Sequence, residues 1–92
     1  MVRPHKKRNI VFNPEVVYYK PAGIPLRELK EVSLGLDEVE ALRLCEHKGL
    51  SQKESAKKMQ VSQPTFNRIL SKARKKISTA IIKGYAIRVN IK

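Results

Sequence analysis

Acidic residues are scarce in this sequence: eight Asp and Glu face twenty Lys and Arg, a formal charge of +12 over 92 residues. A small fold tolerates such self-repulsion best when its partner is polyanionic. Cysteine is scarcer still. Cys45 stands alone, which excludes an internal disulfide and gives no sign of a cysteine cage for a metal. No apolar run approaches the roughly 20 residues that span a bilayer. The basic start MVRPHKKRNIVF lacks the roughly 7–15-residue apolar stretch of a secretory signal. A cytoplasmic protein outside the membrane is the expectation. The two histidines, His5 and His47, are far apart, with no Ser/His/acid pattern or phosphate-binding glycine loop beside them. These absences point away from an enzyme and away from any cofactor.

What remains is one basic domain, since the length suits about one core and no repeat interrupts it. Residues 1–9 lack apolar periodicity and read as a flexible basic arm, leaving 10–92 as the folded unit. Charge is unevenly placed. From residue 37 to 50 four acids face two bases, a balance of −2, whereas from 51 to 92 eleven bases face Glu54 alone, a balance of +10. The polyanion should meet the C-terminal half.

Local chemistry predicts three helices. Asp37 with Glu40 three residues on reads as a capping box opening a helix over about 38–48, with Val39, Leu42 and Cys45 on its apolar face and Gly49 as its stop. Ser51 and Glu54 form a second capping box over about 52–59, turning Ala56 and Met59 inward. Gln60, Val61 and Ser62 make the break, Val61 being an apolar plug. Gln60 stands where such turns usually carry Gly, at a cost of about 1 kcal/mol if the backbone there is left-handed. Ser62 then caps a helix over 63–83, where Pro64 is tolerated in the first turn. Ile69, Leu70, Ala73, Ile77, Ala80 and Ile81 all fall within about 60° of Phe66 on it and predict the buried stripe. Pro64, Asn67, Arg68, Ser71 and Lys75 lie opposite.

Short strands are expected at both ends. Ile10–Phe12 is a brief apolar run before Asn13 and Pro14. Tyr85, Ile87, Val89 and Ile91 alternate with polar or small residues after Gly84. Between them Pro21, Gly23 and Pro25 predict an irregular ordered connection, pinned to the core by Val17, Tyr18, Ile24 and Leu26. The fold class read from this pattern is mainly α: a tri-helical helix-turn-helix core with short N- and C-terminal β-strands. A C-terminal strand needs a partner, and a two-fold dimer would place two reading helices one DNA turn apart. A homodimer held by that strand, Ile77 and Ile81 is therefore expected.

A short helix, a tight turn and a long helix with a polar outer face is the arrangement whose second helix enters the major groove of duplex DNA. Gln63, Asn67, Arg68 and Ser71 are the candidates for base edges, because amide, guanidinium and hydroxyl groups read them. Ser51, Lys53, Thr65, Lys72 and Lys75 are the candidates for phosphates. Arg3, Lys6, Lys7 and Arg8 form a possible arm for the minor groove. Two other readings compete: a structured RNA as the target, or a protein-interaction module docking on RNA polymerase or another acidic surface.

The residues YYKPAGIPLRELKEVSLGLDEVEALRL, the helix pair after them and KGYAIRV together resemble a family of small, largely uncharacterised prokaryotic proteins predicted to bind DNA through a sigma-factor region-4-like helix-turn-helix. The resemblance runs over about residues 3–89. It implies a tri-helical DNA-binding core and a role in transcription regulation. Some members carry an added domain similar to those handling the nitrogenase iron-molybdenum cofactor; this chain ends without one, so the resemblance implies sensing only through another partner.

Overall fold

In a computed structural model, residues 10–11 and 17–90 are described. Helix α1 spans Leu36–Leu42 and runs on as a π-helical turn over Arg43–His47. Helix α2 spans Gln52–Met59 and α3 spans Gln63–Lys83. Three strands, β1 (Tyr18–Tyr19), β2 (Glu31–Gly35) and β3 (Ala86–Asn90), form one sheet in the order β1-β3-β2. The protein is mainly α with a small sheet.

Helices α2 and α3 start where the sequence predicts. Ser51 Oγ accepts from the Glu54 N–H at 3.0 Å, and Ser62 Oγ accepts from the Thr65 N–H at 3.2 Å, so each hydroxyl satisfies a backbone donor that the first helical turn leaves free. The helices also end alike. Gln60, Gly49 and Gly84 all have positive φ, and the next residue's N–H closes back: Val61 to Ala56 at 3.1 Å, Leu50 to Leu44 at 3.0 Å and Tyr85 to Ala80 at 2.9 Å. This satisfies carbonyls left open at a helix end. Gln60 adopts the left-handed conformation, at φ 59, without glycine's freedom.

The first helix begins differently from the sequence expectation. Its cap is Gly35, whose N–H donates to Glu38 Oε1 at 2.9 Å, while Asp37 Oδ1 accepts from the Glu38 N–H at 2.8 Å. A Cβ at Gly35 would lie 2.8 Å from Asp37 Oδ1, so a larger residue there would push the Asp37 carboxylate aside. Glu40, expected to complete the box, is instead 1% exposed. It accepts from Arg43 Nε at 2.8 Å and Nη2 at 3.0 Å, and from the Val11 N–H at 3.2 Å. That hydrogen-bonded carboxylate raises the Arg43 pKa above its ordinary value.

Ala41, Leu44, Ala56, Met59, Phe66, Ile69 and Leu70 form the core, with Leu42, Cys45, Leu50 and Val61 packed against it. Ala56 of α2 is buried in this core, and Val61, in the turn between α2 and α3, is half-buried against it. Two expectations for the core need correcting. On α1 the buried stripe is Ala41 and Leu44, leaving Val39, Leu42 and Cys45 half-buried. On α3 Ile77 is half-buried and Ile81 is 72% exposed. Along the second half of α3 Ala73 and Ala80 are buried and Lys76 reaches the Ser33 carbonyl of β2, so its buried side is turned away from Ile81. Ile24 and Leu26 are also exposed; Lys20 Nζ closes that loop by donating to the Ile24 carbonyl at 2.8 Å.

The sheet differs most from expectation. Ile10 and Val11 are not in a strand, and Phe12 lies outside the described residues, as does Ile91. Strand β3 pairs antiparallel with β1 (Tyr18 opposite Arg88) and parallel with β2 (Leu34 opposite Val89). The C-terminal strand thus has partners on both edges within one chain, which removes the unpaired-strand reason for a dimer. Lys30 accepts from the Ala86 N–H at 2.9 Å, so Val32 and Leu34 turn their backbone groups toward β3 and Ser33 and Gly35 turn theirs outward. The outer edge is covered by side chains. Lys76 Nζ donates to the Ser33 carbonyl at 2.7 Å and to Glu38 Oε1 at 2.9 Å, and Glu38 accepts from Gly35. An ion pair between α3 and α1 therefore blocks an edge that would otherwise invite another strand.

Candidate nucleic-acid interface

Ser62 fixes the start of α3, and the inward pull of Phe66, Ile69, Leu70 and Ala73 fixes its rotation. Gln63, Asn67, Arg68 and Ser71 are consequently all exposed on its outer side, with successive members of the 63, 67, 71 series about 6 Å apart along the axis. Lys72 and Lys75 continue the exposed side toward the C-terminus. Ser51 and Lys53 are exposed at the start of α2, and Thr65 is half-buried. Two of the hydroxyls have structural duties. Ser51 Oγ closes the α2 cap, and Ser62 Oγ donates to Thr65 Oγ1 at 2.9 Å. Arg3, Lys6, Lys7 and Arg8 lie outside the described residues.

The bases of α3 divide into two sets, a division that charge counting does not reveal. Arg74 Nε donates to Glu46 Oε2 at 2.6 Å, and Lys76 pairs with Glu38 at 2.9 Å. Both are tied to the end of α1 or its start. Arg68, Lys72 and Lys75 have no acidic partner among the described residues, and all three are exposed. They lie on the same side as the amide and hydroxyl groups of Gln63, Asn67 and Ser71.

A second polar cluster spans the sheet. Arg88 Nε donates to Glu31 Oε1 at 3.0 Å and its guanidinium lies 4.9 Å from the Tyr18 ring centroid, while the Tyr18 hydroxyl donates to Glu31. Hydrogen bonds from Tyr18 and then Arg88 lower the Glu31 pKa; the bond to Glu31 raises that of Arg88. One residue comes from each strand, so the cluster clamps the sheet. Sequence reading did not find it, because its members lie 13 and 57 residues from Glu31.

Fold and surface define a class: a small, basic, mainly α protein whose α3 presents exposed bases without acidic partners among the described residues. Among the described residues no helix is long and apolar enough to cross a membrane. The chain belongs to the family described as protein of unknown function DUF134, whose pattern matches residues 1–91. It is similar to a UPF0251 protein of Halothermothrix orenii, 54% identical over 88 residues that cover 96% of this chain and 65% of that one. A UPF0251 protein of Desulforudis audaxviator is 53% identical over 89 residues, covering 97% and 58%. Another, from Dehalococcoides mccartyi, is 52% identical over 89 residues, covering 97% and 76%. The chain thus spans less than two thirds of the length of the first two relatives. No solved structure matches it.

Proposed function

We propose that this chain is a sequence-specific DNA-binding protein acting in transcription regulation, in which α2, the Gln60–Ser62 turn and α3 work as a helix-turn-helix of the sigma-factor region-4 type. One observation carries the reading: Arg68, Lys72 and Lys75 are exposed and without acidic partners among the described residues, beside the exposed Gln63, Asn67 and Ser71. Lysine and arginine left uncompensated on a helix face attract phosphates, and amide and guanidinium groups among them supply bidentate contacts to purine edges. In this arrangement the first turns of α3 enter the major groove. Gln63, Asn67, Arg68 and Ser71 meet bases, while Lys72 and Lys75, with Lys53 and Ser51 on α2, fix the register on the backbone. Pro64 presents only an apolar ring at the helix start, suited to a thymine methyl group.

Selection of bound fragments from random duplexes tests the reading, followed by competition between the selected duplex and structured RNA at matched salt. Enrichment of one motif and preference for the duplex are expected. Failure to enrich any motif, or displacement of the duplex by RNA, overturns it.

A further inference from the structure

The exposed side of α3 does not stop at the turns that carry Gln63, Asn67, Arg68 and Ser71. Taken at about 100° per residue, Lys72, Lys75, Thr79, Ile82 and Lys83 all fall within about 60° of Arg68, and the row runs on for about 22 Å to the end of the helix. Arg74, Lys75, Ser78, Thr79, Ile82 and Lys83 line an open groove along its last turns. No acidic residue occurs between Gln63 and Lys83. Arg74 is engaged by Glu46, but Lys72, Lys75 and Lys83 are exposed and have no acidic partner among the described residues. These ammonium groups, with the hydroxyls of Ser78 and Thr79, make a row of donors suited to anions. Ile82 stands among them, 81% exposed. An apolar side chain between bases suits a ligand that alternates charge with apolar surface. Phosphates separated by sugars do so; a free inorganic anion does not.

We propose, resting on the DNA-binding reading above, that this groove is a second contact with the same duplex, in which Lys75, Ser78, Thr79 and Lys83 hold backbone phosphates outside the bases that the first turns of α3 read. Gln63 to Ser71 spans about 12 Å along the axis, and the major groove is about 12 Å wide. A reading helix enters that groove by its N-terminal residues. The roughly 18 Å from Ser71 to Lys83 therefore rises past the edge of the groove, where the phosphate strand runs. There the ammonium and hydroxyl groups donate to phosphate oxygens, and Ile82 lies against the sugars. Such contacts carry no sequence information; they fix the orientation of the protein and lengthen its footprint. Ser78, Thr79 and Lys83 thereby join Lys72 and Lys75 as holding residues.

Affinity of the full chain for a random duplex, measured across a salt series, tests this. Lys83→Gln should make the log–log salt slope shallower by about 1, the loss of one phosphate contact. Thr79→Glu brings a like charge to the phosphates and should weaken binding by about tenfold at fixed salt. Arg27→Gln removes one exposed charge from the segment before β2 and is the control; it should keep the parent's slope. Circular dichroism checks that all three variants fold. On the duplex recovered by selection, neutral methylphosphonates placed singly outside the motif should weaken the parent at one position and leave Lys83→Gln unmoved there. Equal slopes for the parent and Lys83→Gln overturn the inference. So does an equal change in Arg27→Gln, which would assign the effect to net charge alone, and so do methylphosphonates that weaken the parent and Lys83→Gln alike. Failure to select a motif, with the Lys83 slope change intact, would strike the sequence-specific reading and leave the backbone contact standing. A chain that binds no duplex overturns both.

Discussion

Ser55 is fully buried in α2, and its hydroxyl oxygen finds no hydrogen-bond partner among the described residues. A sealed hydroxyl without a partner carries its desolvation cost uncompensated, so Ser55→Ala should stabilise the fold by about 1 kcal/mol. A shift of the urea midpoint upward with unchanged slope checks it; a loss of stability would mean that the hydroxyl is satisfied after all. On the outer side of α3 the same residue-scale reasoning separates reading from holding. Arg68→Ala should cost about 1–3 kcal/mol on the selected site and little on random duplex, whereas Lys75→Ala should weaken all duplexes alike. Anisotropy titrations of both variants on both duplexes give the four numbers needed. Equal losses throughout would place the reading surface elsewhere.

Elements differ in how far the sequence exposes them, and the reason is distance along the chain. Helices α2 and α3 are legible to the residue, because Ser51 with Glu54, Ser62 with Thr65 and the left-handed stops all act within six residues. The start of α1 is not, since Gly35 caps it with a backbone N–H alone and gives no side-chain signal; Asp37 and Glu40 offered a false one. Strands β1 and β2 were unreadable. Tyr18–Tyr19 is too short to alternate, and Glu31–Gly35 finds its partner more than 50 residues later. The exposed side of α3 was legible from its periodicity. That Arg74 and Lys76 are committed to Glu46 and Glu38, 28 and 38 residues away, was not. The sheet clamp has its own pH signature. Because its folded-state pKa is depressed, Glu31 contributes stability that is complete above its ordinary value of 4.5 and is lost as pH falls through the folded value. Thermal melts of the parent and of Glu31→Gln should therefore differ at neutral pH and converge in acid. A gap that persists to low pH would assign the difference to packing.

For the whole molecule the governing quantity is charge. If about six phosphates are neutralised, affinity for duplex DNA should fall with a log–log salt slope near −5, roughly a thousandfold between about 50 and 200 mM. A slope near zero would remove nucleic acid as the main partner. The order of the sheet has a further consequence, concerning when the chain can finish folding during its synthesis. Its central strand is Ala86–Asn90, and both neighbours lie far earlier in the sequence. The helical core can assemble as soon as α3 emerges from the ribosome, but Tyr18–Tyr19 and Glu31–Gly35 must wait, unpaired, until the strand that joins them has been made. Such long-range pairing is the slow part of folding. A chain stopped at Lys83 should leave both waiting strands open to proteases.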